Sequence, residues 1–306
     1  MKKFGYFIHP IDARELRKFT NPFTALFGIF RKKESRFAIY QIKNLPSKGS
    51  QSIEGFFIAL PEMFQLSPNR ETLIMERVMD AVEAAKKLGA DILGLGGFAG
   101  PLCDKGYTAF KRSEIPLTSG SAYTAWSIFE AIYRITKAKN IDLAKQSIAI
   151  ISATSAIGSL CARKLSGFCA KIILCSSDKA KLPHLQEEIA HLGSAELVVE
   201  KNPDNAASAA DIVIWIDKNL VHFKALNLTV KTGLVKLPRS LKSGLSLFPA
   251  KGIISASLAE TILLTLEGKL TNYSFGDNVN PDKMTEIADI AAKYGFEVWL
   301  PEAPLF

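Results

Sequence analysis

The sequence predicts an α/β protein with a doubly wound parallel sheet, and three observations carry that prediction. Apolar β-rich runs alternate with segments whose apolar residues recur at helical spacing. Residues 147–159, SIAIISATSAIGS, pass from an apolar run through a small-residue turn into a helical pattern, the layout of a nucleotide-binding turn. Hydrophobic residues make up 48% of the 306, enough to core two domains, while no apolar run approaches the roughly 18 residues that cross a bilayer.

The elements follow in order. FAIYQIK (37–43) and IEGFFIA (53–59) are strands. Over 71–88, Ile74, Val78, Ala81, Val82, Ala85 and Leu88 share one helix face, and Gly89 supplies the stop. DILGLGGF (91–98) is a short buried strand entering a glycine turn, and TSGS (118–121) opens another helix. From 141 the rhythm tightens: strand 147–151, helix 156–166, strand 171–175, helix 179–192, and strands 195–199 and 211–216. That is a βαβαβ nucleotide-binding half, so a Rossmann-like domain is expected over 141–250, after an N-terminal α/β substrate lobe over 1–140. The last third reads as mainly helical, with an irregular joint at 225–252, helices over 261–268 and 281–295, and a C-terminal segment (251–306) that packs back.

Charge and cysteines narrow the function. The formal net charge of +8 favours an acidic partner, and Lys218, Lys224, Lys231, Lys236, Arg239, Lys242 and Lys251 fall in one stretch with no acidic residue between Lys218 and Lys251. No basic–aromatic interleaving points to nucleic acid. Cys103, Cys161, Cys169 and Cys175 form no CxxC pair, so neither a disulfide framework nor a metal site is expected. The absence of a leader or spanning run predicts an unprocessed cytoplasmic protein. In NPFTALFGIFRKK (21–33), Phe23, Leu26, Phe27 and Phe30 stripe one helix face before three basic residues: a packed helix, or a peripheral contact with lipid or an acyl carrier.

In the turn, Gly158 suits close helix–strand packing, while Ser152 and Ser155 occupy positions where a dinucleotide turn usually has glycine. The helix N-terminus that attracts phosphate is retained. The second strand ends in LCSSDKAK, with no acid at its tip for a ribose and no arginine for a 2′-phosphate. At the other end, Ser257-Leu258-Ala259-Glu260 reads as a capping box, with Leu258, Ile262 and Leu266 as the buried stripe behind it.

GLGGF (94–98), TSGSAYTAW (118–126), IAIISATSAIGS (148–159), ADIVIW (210–215), AETILLTLEG (259–268) and TNYSFG (271–276) together resemble the cyanobacterial-type long-chain acyl-acyl carrier protein reductases. The similarity runs from FGYFIH (4–9) and LPEM (60–63) to KYGF (293–296). It implies a central Rossmann domain, NADPH (or NADH) as cofactor, and an acyl carrier protein or acyl-CoA thioester as partner. In that family a cysteine takes the acyl group, and hydride transfer then releases a fatty aldehyde. The cofactor would lie on Ser152, Ala153, Thr154, Ser155, Ala156, Ile157, Gly158 and Ser177; the substrate would meet Gly96, Gly97, Phe98, Thr118, Ser119 and Tyr123.

The departures from that pattern are specific. Ser257 stands at the cysteine position, Ser152 and Ser155 replace glycines, Ser177 replaces an arginine and Tyr123 a histidine. A cysteine at a helix N-terminus becomes a thiolate, whereas a serine needs an adjacent base, and the sequence offers no evident histidine for it. Cys103, in a loop after GLGGF, is a substitute candidate. The expected function is therefore an NAD(P)H-dependent oxidoreductase of the acyl reductase type, with Ser257 as catalytic residue or with direct hydride transfer. The alternatives are a catalytically silent relative that binds an acyl chain, carrier or partner enzyme, and a small-molecule dehydrogenase.

Overall fold

A computed structural model describes residues 1–8, 38–46, 52–59, 71–96, 108–238, 241, 252–274 and 280–300. The chain divides into two compact units: the first gathers 1–121, 237–278 and 289–296, the second 122–236, 279–288 and 297–306. The expected helix at 21–33, together with Gly97, Phe98, Cys103, Arg239, Lys242 and Lys251, lies outside the described residues.

The first unit begins with β1 (Lys3–Ile8), β2 (Ala38–Pro46), β3 (Ser52–Ala59), α1 (Glu71–Lys87), β4 (Ile92–Leu95), α2 (Thr108–Arg112) and β5 (Leu117–Thr118). Its sheet has the order β2-β3-β1-β4-β5, parallel except for β2 against β3. Strand alternation sorts the side chains onto two faces. Phe7, Ile58, Leu93 and Leu95 pack against Val78, Ala81, Val82 and Ala85 of α1. The opposite face carries a row in register across four strands, Phe57, Tyr6, Gly94 and Thr118.

The chain continues through α3 (Ser121–Ala138), β6 (Ser147–Ile151), α4 (Ala156–Leu165), β7 (Lys171–Cys175), α5 (Leu182–Ala190), β8 (Glu196–Val199), α6 (Pro203–Ser208), β9 (Ile212–Trp215), β10 (Leu220–Phe223), β11 (Leu228–Lys231) and β12 (Leu234–Lys236). The sheet order is β11-β10-β9-β6-β7-β8, with β9, β6, β7 and β8 parallel. Ile148, Ile150, Ile172, Leu174, Ile212 and Ile214 pack on one face with α3 and α4, and Ala149, Ile173 and Val213 on the other with Ala206 of α6. Helices on both faces of four parallel strands make this the Rossmann-type half that the sequence predicts.

The expected irregular joint is corrected at its start. β10 and β11 form an antiparallel meander with β9, reversed at Asn219 (φ 51°) and Asn227 (φ 46°). Asparagine tolerates the left-handed region, so DKNL and ALNL each turn the chain without glycine. The helix expected from 179 starts at Leu182, with Pro183 in its first turn.

β13 (Ile253–Ser255) leads into α7 (Ala256–Glu267) in the first unit; α8 (Pro281–Tyr294) and β14 (Glu297–Val298) follow, β14 antiparallel to β12. α7 packs back onto β1 and β4, and Leu258, Ile262 and Leu266 are buried as expected. Gly268, at φ 79°, ends the helix. Among the described residues no helix is long and apolar enough to cross a membrane.

Candidate functional site

The first turns of α7 lie over the Tyr6–Gly94–Thr118 part of the row in the first sheet. Ser255, extended at φ −66° and ψ 145°, is the N-cap: its Oγ accepts from the Leu258 amide at 3.3 Å. This corrects the expected capping box. A cap needs non-helical backbone, Ser255 is the last residue that has it, and Ser257 therefore falls at the second helical position. Glu260 then sits too far along the helix to reach back to the cap.

That shift frees both side chains for other partners. Ser257 Oγ shares a 2.8 Å hydrogen bond with Tyr6 Oη and donates to Ser255 Oγ at 3.2 Å. Glu260, with no solvent exposure, accepts from Thr118 Oγ1 and, at 2.5 Å, from Ser274 Oγ. Ser119 donates to the Ser274 carbonyl and lies 2.8 Å from Ser121 Oγ. Thr118 and Ser119 thus commit their hydroxyls to knitting the 118–121 turn to α7 and Ser274.

The glycines in the GLGGF and TSGS segments explain how these groups come together. A Cβ at Gly94 would overlap the Thr261 hydroxyl, so Gly94 lets α7 lie close on β4. A Cβ at Gly96 would stand 2.7 Å from Tyr6 Oη and 2.8 Å from the Phe7 carbonyl. Gly120, at φ 75°, faces the backbone of Ser257, where a Cβ would overlap it. Two segments far apart in sequence, 94–96 and 118–121, therefore pack closely against Tyr6 and the first turns of α7.

Burial pushes the Tyr6 phenol above its ordinary pKa; bonds to Ser255 and Ser257 oppose the rise and the Glu260 charge adds to it. Tyr6 is thus neutral at pH 7 and is no base for Ser257. The thiols do not replace the family cysteine among the described residues. Cys161, Cys169 and Cys175 are buried, and burial pushes Cys161 up to about 12 and Cys169 to about 11.

The nucleotide-type turn lies in the second unit. Ser152 adopts φ 68°, a conformation that favours glycine. Gly158 is required, since a Cβ there would overlap the Ser152 carbonyl. Ser155 caps α4: its Oγ accepts from the Gly158 amide at 3.1 Å and donates to the Ser152 carbonyl at 2.7 Å. Thr154 Oγ1 lies 2.5 Å from Ser176 Oγ, and Ala153 donates its amide to the Cys175 carbonyl. The first amides of α4, at Ala156 and Ile157, belong to half-exposed residues and precede the intrahelical bonding pattern. The turn therefore fits a dinucleotide phosphate in backbone shape, with a side-chain hydroxyl already holding one of its amides. Ser177 is exposed just past β7, and Tyr123, 1% exposed, is a core residue of the second unit.

No protein-family model matches the chain. It is 27% identical to a long-chain acyl-[acyl-carrier-protein] reductase of Synechococcus elongatus over 78% of this chain and 80% of that protein. It is 23% identical to the aminotransferase PigE of a Serratia species over 97% of this chain, which spans only 40% of PigE. Among solved structures, the shikimate 5-dehydrogenase of Listeria monocytogenes, in complex with shikimate and NAD, aligns over 96% of this chain and 92% of that one, with 10% identity and a TM-score of 0.36.

Proposed function

We propose that the protein is an oxidoreductase that reduces the carbonyl of an acyl thioester, or of a related compound, with NADPH or NADH. The observation that carries this reading is the Tyr6–Ser257 hydroxyl pair, with Gly96 packed against Tyr6 and Gly120 against Ser257, each in a segment that resembles the acyl reductases. The distant likeness to the Synechococcus reductase supports the acyl thioester as substrate class. A bound nicotinamide supplies the hydride. The backbone of Ser152–Gly158 and the amides of Ala156 and Ile157 would hold its phosphates, and Ser177, exposed after β7, would be available to its sugar. The hydroxyls of Ser257 and Tyr6 orient the carbonyl oxygen.

An acyl carrier protein or acyl-CoA is the acidic partner. Lys224, Lys231 and Lys236 are exposed on the basic stretch that would receive it. Residues 21–33 are the candidate for peripheral membrane contact. Fluorescence titration with NADPH and NADH, followed by dinucleotide oxidation with long-chain acyl carrier and acyl-CoA substrates, tests the reading. Saturable binding and oxidation are expected; neither binding nor oxidation overturns it.

A second reading, a silent relative that binds an acyl chain or a partner, draws support from the three buried thiols and from the Gly158 amide already held by Ser155. Aldehyde release by Ser257→Cys and not by the natural protein would favour it.

A further inference from the structure

We propose that Tyr6 is a catalytic residue of this reaction: its phenol, paired with the Ser257 hydroxyl, protonates the substrate carbonyl oxygen as hydride arrives, and no acyl-enzyme forms. The inference rests on the reductase reading above and specifies its chemistry.

Four observations carry it. Tyr6 Oη and Ser257 Oγ stand 2.8 Å apart, so a Ser257 hydroxyl turned from Ser255 to donate to Tyr6 leaves the phenol proton for a carbonyl oxygen. The phenol is held in place: β1 pairs with β3 and β4 on either side, and the ring meets Phe57 edge-on at 6.1 Å. Gly96 packs closely against the phenol, where a Cβ would stand 2.7 Å from Oη, and so fixes one flank of the hydroxyl. Ser257 has a neutral phenol as its neighbour where a covalent route needs a base.

The step balances. Hydride from the dinucleotide bonds to the carbonyl carbon, the C=O π pair moves to oxygen, and that oxygen takes the Tyr6 proton. The Tyr6 proton is replaced in the same step, so no free phenolate builds up in a site where burial holds the phenol pKa above its ordinary value. Half-buried Ser257 relays a proton from water back to Tyr6. With a thioester, the resulting hemithioacetal breaks its C–S bond and its hydroxyl proton goes to sulfur. The sum is thioester, reduced dinucleotide and one proton giving aldehyde, thiol and oxidised dinucleotide.

Three measurements on the full chain test this. Tyr6→Phe is expected to lower kcat about 100-fold or more while KM and dinucleotide affinity stay within about threefold. Ser257→Ala is expected to keep roughly a tenth of the natural kcat, a loss far smaller than deletion of a covalent nucleophile causes. Intact-mass spectrometry after incubation with palmitoyl-CoA, without dinucleotide, is expected to show no acyl adduct. An unimpaired Tyr6→Phe enzyme, an acyl-Ser257 adduct, or complete loss in Ser257→Ala overturns the proposal while leaving the reductase reading intact. A natural protein that neither binds dinucleotide nor reduces thioester removes both.

Discussion

At Gly120 two constraints coincide, a φ of 75° and the backbone of Ser257 where a Cβ would stand. Gly120→Ala is therefore expected to destabilise the protein by about 2 kcal/mol or more in urea melts and to abolish turnover, since either the 118–121 turn or α7 must move. Ser152 presents the reverse case, a side chain on left-handed backbone. Ser152→Gly relieves that conformation and removes a hydroxymethyl group from the phosphate turn. It is expected to tighten dinucleotide binding in a fluorescence titration, with a stability gain of up to about 1 kcal/mol. Ser257 stood out in the sequence only through a resemblance, as the serine where the acyl reductases carry a cysteine. Tyr6 did not: residues 4–9 entered only as the start of the resemblance, and pairing of β1 with β4 brings Tyr6 beneath α7.

At the level of elements, α7 depends on its Ser255 cap. Ser255→Ala is expected to cost about 1 kcal/mol in thermal or urea unfolding and to slow turnover, because Ser257 Oγ also bonds to Ser255 Oγ. The sheet of the second unit is tied at its lower edge by Asp211, whose carboxylate accepts from both the amide and the hydroxyl of Ser147 at 2.9 and 2.6 Å. The Ser147 side-chain and backbone bonds hold its pKa below the ordinary carboxylate range. The folded state thus releases this proton more readily than the unfolded chain. Its contribution is present above the unfolded pKa, near 4, and is lost as pH falls through the folded value. Asp211→Asn is expected to be less stable than the natural protein at pH 7, with the gap closing in urea melts near pH 3. Strands and helices of the second unit were readable because each carries its own apolar period. The β10–β11 meander was missed because its turns rest on asparagines, a weaker signal than glycine or proline.

For the molecule as a whole, ligand binding is expected to couple to stability. A dinucleotide that binds the folded chain at 100 times its Kd should add about 2.7 kcal/mol, seen as a rise in Tm that Gly158→Ala removes. The +8 charge predicts that an acyl carrier protein binds more weakly as salt rises from 50 to 300 mM, read by titration calorimetry. The α/β class and the Rossmann-type half, with its strand–turn–helix start at 147–165, were determined by the sequence alone. Each depends on periodicity or spacing within a few tens of residues. Only the tertiary structure decided that Ser255 caps α7, that Glu260 is buried with Thr118 and Ser274, and that Tyr6 is the partner of Ser257. Those contacts join residues 142 to 251 positions apart in the cases of Glu260–Thr118 and Ser257–Tyr6, and such pairing is set by sheet register and helix packing, which leave no local period in the chain.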